Sequence, residues 1–249
     1  MNQSPLPSTR VGVFVFDGFE PIDVWGPIQA FVAAAYVGTS VQSGPPPFRV
    51  TLIANEDRVQ GDEQAAPRPV AARGGVRVAP DLFRDQALTQ DIDLLLIPGG
   101  LALRELLSPD RPVERAALLR WAVRMDERVS LMTSVCTGAA VLAAAGLLDG
   151  QPAATNHLAF HWVTSLGPRV KWDNVARWVD AGRYVTSAGV SAGTDMAFYL
   201  VQRLYGRAVA EQAARVAEYD WRRDPEEPVR YPEQAPVPTT PWRPPATTR

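Results

Sequence analysis

The chain has 249 residues, 46% of them hydrophobic, and a formal net charge of −2. That length suits one large α/β domain or two small ones, and the apolar share argues against global disorder. The near-neutral balance gives no electrostatic case for nucleic acid or an acidic membrane, one cysteine excludes an intrachain disulfide, and two histidines argue against a histidine-dominated zinc site.

No apolar run approaches the ~20 residues that span a bilayer. Met1 to Arg10 is polar, holds two prolines and lacks a signal-like apolar segment. The expectation is a cytoplasmic protein in a reducing compartment. Three regions are expected: an N-terminal extension over 1–10, one domain over 11–223 and a Pro-rich tail over 224–249. Lys171 is the sole lysine, which leaves little room for Schiff-base chemistry.

Residues 11–16 read as a buried parallel strand ending in Asp17-Gly18. A helix is expected from about Ile28 to Tyr36, and a second strand over 48–54. Residues 55–73 are polar and rich in Gly, Pro and Gln, and read as a surface insertion. Residues 75–79 alternate like a short edge strand. Residues 93–97 form another buried strand, stopped by Pro98-Gly99-Gly100. Residues 112–126 show helical spacing of Val113, Ala116, Leu119 and Val123.

Residues 129–133 then lead into Ser134-Val135-Cys136-Thr137-Gly138, followed by an alanine-rich helix closed by Gly146. Further on, residues 152–155, 169–172, 176–180 and 184–187 are strand candidates, the last two joined at Ala181-Gly182. Residues 158–166, 192–204 and about 209–219 are helix candidates. This alternation implies a doubly covered, mostly parallel sheet. The seven tryptophans read mainly as core and interface packing.

Cys136 sits where a strand turns into a helix, so the helix N-terminus is expected to favour a thiolate. Position alone leaves two readings, a nucleophile and a packed small hydrophobe. In an open parallel sheet, ligands bind beyond the carboxyl ends of the strands. Three such ends carry unusual chemistry here: the acids Asp17, Glu20 and Asp23, the Pro98-Gly99-Gly100 turn, and Cys136-Thr137-Gly138. The glycines, with the Thr137 amide, suit an oxyanion-type pocket. A carboxyl near the thiol suits proton transfer, whereas Asp23 as a helix N-cap and Asp17 as a turn residue are the plain readings.

These segments, with Ile22-Asp23-Val24-Trp25-Gly26-Pro27, Ala154-Thr155-Asn156-His157 and Gly189-Val190-Ser191-Ala192-Gly193-Thr194-Asp195, resemble the ThiJ/PfpI superfamily in order over about 11–219. The resemblance is nearest to isonitrile hydratases and to amidase-like domains of AraC-type regulators. It implies a flavodoxin-like three-layer sandwich with Cys136 as nucleophile on a strained elbow. It further implies Asp23, rather than Glu20, as the facing acid, Thr137 as a catalytic neighbour and Gly100 as the amide that polarises substrate. His157 falls on a histidine common in the superfamily, leaving a catalytic role and a helix-capping role open; His161 reads as structural.

The chain departs from the hydratase pattern at Leu158, where Trp is expected, in the length of the 55–73 segment and in its Pro-rich tail. The resemblance implies no metal or organic cofactor, a small-molecule substrate and a homodimer. Isonitrile hydration is the leading expectation. Another cysteine hydrolase or lyase acting on an amide, a peptide or a 2-oxoaldehyde is the second, and a redox sensor or ligand-binding regulator the third.

Overall fold

The computed structural model describes residues 8–228, apart from 39, 42, 43 and 63. In chain order, β1 (Thr9–Val15) leads into α1 (Pro21–Ala33), and a small hairpin, β2 (Tyr36–Val37) and β3 (Ser40–Val41), precedes β4 (Phe48–Ala54). A second hairpin, β5 (Val70–Ala71) with β6 (Arg77–Val78), is followed by α2 (Arg84–Ala87), β7 (Leu94–Ile97), α3 (Leu103–Leu106) and α4 (Pro112–Asp126). Then come β8 (Leu131–Val135), a 3-10 turn over Cys136–Gly138, α5 (Ala139–Ala144), β9 (Pro152–Ala154), α6 (Phe160–Leu166) and β10 (Lys171–Asp173). The chain continues through β11 (Trp178–Ala181), β12 (Tyr184–Ser187), α7 (Ser191–Tyr205) and α8 (Arg207–Val216).

Six strands form one sheet in the order β11-β12-β8-β7-β1-β4. Every neighbouring pair is parallel except the β11–β12 hairpin. Helices α1, α7 and α8 pack on one another on one side, and α4, α5 and α6 form the other group. The sheet lies between two helical layers, as the alternation predicts.

The four residues of β7 are all fully buried. Burying side chains of that size contributes roughly 1.5–3 kcal/mol each. Phe14 of β1 meets Trp121 of α4 with ring centroids 5.0 Å apart. The Trp121 indole also donates to the Arg84 carbonyl at 3.1 Å, so its buried polar atom is satisfied.

Several sequence expectations need correction. Helix α1 begins at Pro21, not Ile28, and runs through Pro27. Pro21 occupies the first turn, where its missing N–H costs nothing. Asp23 therefore lies inside the first turn, and the N-cap position falls to Glu20. The buried face of α4 is Leu118, Trp121, Ala122 and Met125, whereas Val113 is 74% exposed. Both stripes have helical spacing, and the one carrying the large indole faces the sheet. Residues 77–78 pair with 70–71 in their own hairpin and not on an edge of the main sheet.

The 55–73 segment lies largely at the surface, as expected of an insertion, and its end is tied to the turn after β1. The Ala71 N–H donates to Asp17 Oδ1 at 2.8 Å, and the Arg73 N–H donates to the Phe19 carbonyl at 2.9 Å. Of the tail expected from Asp224, residues 224–228 pack back, with the Pro225 carbonyl accepting the Arg177 N–H at 2.8 Å. The remainder of it, and residues 1–7 of the N-terminal extension, lie outside the described residues. Among the described residues, no helix is long and apolar enough to cross a membrane.

Candidate active site

The carboxyl ends of β1, β7 and β8 meet around Cys136. Cys136 adopts φ 58°, a left-handed conformation unusual for a residue with a side chain. It is fixed from both sides of its peptide. Its N–H donates to the Ala188 carbonyl at 3.1 Å, and its carbonyl accepts the Thr155 hydroxyl at 2.9 Å. Gly138 closes the turn: a Cβ there would stand 2.1 Å from the Ile97 carbonyl oxygen, so no larger residue fits beside β7.

Asp23 reaches the same point from the first turn of α1 and is wholly buried. Its Oδ2 accepts the Gly99 N–H at 2.9 Å, and its carboxyl also interacts with the Cys136 thiol. Burial pushes the Asp23 carboxyl up to about 7, against the stabilising Gly99 bond, and the nearby Glu20 charge adds to the rise. Burial also pushes the Cys136 thiol up to about 12, with the Asp23 charge acting in the same direction. The sequence-based expectation of a helix-stabilised thiolate is therefore corrected. Cys136 is 6% exposed, and desolvation outweighs the helix end.

Three groups oppose that rise by hydrogen bonding to the sulfur: the Thr137 and Val190 backbone N–H groups and the Asn156 side chain. Asn156 Oδ1 accepts the Ala159 N–H at 2.9 Å, which turns its NH₂ toward the sulfur. Val190 holds φ 46°, a costly conformation for a β-branched residue, and it presents its amide to the cysteine.

The expected roles of the glycine pair change. The Gly99 N–H is engaged by Asp23, and the Gly100 N–H donates to Thr137 Oγ1 at 3.0 Å. These glycines hold the acid and the threonine in place, and the donors that face the sulfur are Thr137, Val190 and Asn156. Asp17 takes the plain reading, accepting from Arg68 and Ala71 beside the turn.

A cavity of about 270 Å³ opens over Cys136 and Thr137. Gly100, Leu101, Leu158, Ala159, Trp162 and Val190 supply its largely apolar wall, and Glu20, Asn156, Arg73 and Arg104 its polar edge. Glu20 is ion-paired with Arg73 at 3.1 Å. Leu158 is 91% exposed at the rim.

His157 is not among the residues lining this cavity. Burial lowers its pKa, with Asp173 as the opposing charge. His157 does not cap α6 either: the N-cap is Ala159, with no side-chain cap bond, and the Ala159 N–H donates to Asn156 in the turn before the helix. His161 is exposed on α6. Among the described residues, no group of three or more His, Cys, Asp or Glu side chains is placed to hold a metal.

Sequence reasoning reached Cys136, Asp23 and Thr137 but not Asn156, Val190, Arg104 or Trp162. Asn156 and Val190 stand within Ala154-Thr155-Asn156-His157 and Gly189-Val190-Ser191, where neither residue type signals a thiol partner by itself.

Residues 9–203 match the DJ-1/PfpI family. Isonitrile hydratase from Pseudomonas putida is 33% identical over 157 residues, which is 61% of this chain and 61% of that protein. The HTH-type transcriptional regulator GbdR from Pseudomonas aeruginosa is 28% identical over 165 residues, 66% of this chain and 42% of the regulator. The chain thus matches about three fifths of the hydratase and two fifths of the regulator. A crystal structure of a ThiJ/PfpI family protein from Pseudomonas syringae superposes with TM-score 0.67 at 24% identity, over 86% of this chain and 76% of that one. At that identity the likeness is one of fold.

Proposed function

Because the chain belongs to the DJ-1/PfpI family, we propose that it is a cysteine-dependent enzyme that adds water to an isonitrile to give an N-substituted formamide. The observation that carries this reading is the buried pair of Asp23 and Cys136, a thiol faced by a carboxyl.

The Cys136 sulfur bonds to the terminal carbon of R–N≡C. The thiol proton passes to Asp23 and from Asp23 to the same carbon, giving a thioimidate, R–N=CH–S. Water adds across the C=N bond, with one proton going to nitrogen and hydroxyl to carbon. Collapse to R–NH–CHO breaks the C–S bond, and Asp23 returns the hydroxyl proton to sulfur. Water and proton transfers close the balance, with no redox step and no external acceptor.

The amides of Thr137 and Val190 and the Asn156 side chain stabilise negative charge that gathers on sulfur when the proton leaves. Asp23, held by the Gly99 N–H, shuttles the proton without a histidine. The competing readings lose support on specific points. A histidine-assisted hydrolase needs His157 in the cavity. A peroxide sensor needs a low-pKa thiol, and burial raises this one.

The test is loss of isonitrile absorbance, with formamide appearing in equal amount, across several aryl and alkyl isonitriles. Cys136→Ala should fall to background, and Asp23→Asn should lose roughly 10²-fold or more, as for removal of a general acid–base group. No turnover above the Cys136→Ala control with any isonitrile would overturn the reading.

A further inference from the structure

Two arginines line the cavity over Cys136, and they are not equivalent. Arg73 is matched by Glu20 at 3.1 Å. The Arg104 guanidinium lies over the Trp162 ring, 4.5 Å from its centroid, and makes no ion pair or side-chain hydrogen bond among the described residues. The lining thus sets two arginines against one glutamate and is left with one positive charge at Arg104.

We infer that Arg104, seated on Trp162, is a carboxylate-recognising group at the mouth of the cavity, so that the small molecule reaching Cys136 pairs an apolar body with a carboxylate. This deepens the proposed function by naming its substrate class, an isonitrile bearing a carboxylate, and for that class it rests on that reading.

Four features support it. Stacking on an indole fixes the plane of a guanidinium while leaving its edge N–H groups free, and those groups match a carboxylate in bidentate fashion. Arg104 belongs to α3, directly after the Gly99-Gly100 turn, which is bonded to Asp23 and Thr137. The anion-pairing group and the reactive pair are therefore held by one short stretch of backbone. The remaining wall is apolar, with Leu101, Leu158, Ala159 and Val190, which suits a hydrocarbon body between the two ends. The volume of about 270 Å³ lies just under the roughly 300 Å³ at which drug-sized sites begin, which calls for a small ligand.

The experiment reads protection of the single cysteine and needs no turnover. Cys136 is alkylated with iodoacetamide and followed by intact mass, with cyclohexanecarboxylate or the isosteric cyclohexanecarboxamide as competitor. The carboxylate should slow alkylation about tenfold more than the amide at equal concentration. Arg104→Gln should abolish that difference, Arg104→Lys should retain part of it, and the double variant Glu20→Gln/Arg73→Gln should retain it, because it removes a neutral pair and leaves the Arg104 charge in place. Equal protection by acid and amide, or a difference that survives Arg104→Gln, overturns the inference.

A second arm compares an isocyano carboxylate with its methyl ester as substrates, where Arg104→Gln should raise KM about tenfold for the acid only. Carboxylate protection with no turnover of any isonitrile would leave the anion site standing and remove the hydratase reading. Turnover without selective protection would do the reverse.

Discussion

Asp23 gives the protein a titration that no surface carboxylate would. Its ordinary value is 3.8, and burial in the folded chain pushes it up to about 7. Between these values the folded state keeps a proton that the unfolded state has lost. Stability should therefore fall as pH rises through this window, with the penalty fully developed above 7. A shift of about three pKa units corresponds to something on the order of 4 kcal/mol. Asp23→Asn keeps the shape and the oxygen that accepts from Gly99, but removes the titration. Urea unfolding at pH 4.5, 6 and 8 should give a falling stability for the native chain relative to the variant; parallel curves would place the titrating group elsewhere. Activity should move the opposite way. The working form of the pair holds one proton between Asp23 and Cys136, so turnover should rise through pH 7. This acid and this thiol were legible in the sequence because their residue types carry the chemistry. The Thr137 amide was legible too, as the donor that follows the cysteine at the turn, but the Val190 donor was not, since a backbone amide has no residue-type signature and a left-handed valine gives no local warning.

At the scale of elements, the placement of Asp23 depends on how closely α1 approaches α7. A Cβ on Gly26 would stand 2.1 Å from Thr194 Oγ1, so the two helices meet where one of them lacks a side chain. Gly26→Ala should force them apart and cost about 1–3 kcal/mol, as overpacking does. Adding Thr194→Ala removes the clashing oxygen, and the double variant should recover most of that loss in thermal unfolding. Additive losses would show that the contact does not limit the packing. Pro21, Gly26 and Pro27 also explain why the start of α1 was misread. Locally each is a breaker, and Pro27 removes the N–H that would bond the Asp23 carbonyl. Packing along α7 overrides that local preference. Strand β7 posed no such conflict, because a continuous buried run stopped by a glycine-rich segment has one natural reading.

For the whole molecule, alternating strands and helices made the layered sheet legible, but nothing in the sequence pattern linked its carboxyl edge to the segment after α8. The link is a run of backbone bonds. Cys136 donates to Ala188 at 3.1 Å, Ala188 to Arg177 at 2.8 Å, and Arg177 to Pro225 at 2.8 Å. Asp195, wholly buried in α7, clamps the same region. It pairs with Arg177, accepts the Tyr219 hydroxyl at 3.1 Å and the Arg222 N–H at 3.0 Å, and its carbonyl takes the Trp221 indole N–H at 3.1 Å. Phe198 stacks on Tyr219 with centroids 5.3 Å apart, which adds an apolar contact to the polar one. Arg177 is itself buried, so Asp195→Asn would leave its charge without a counterion. Breaking a buried pair in this way costs about 3–5 kcal/mol. The variant should melt well below the native chain. Because the released segment ends the bond run that holds the Cys136 amide, alkylation of the thiol by iodoacetamide should also change in rate below the melting transition. An unchanged rate beside a lowered melting temperature would confine Asp195 to stability and separate the C-terminal clamp from the elbow.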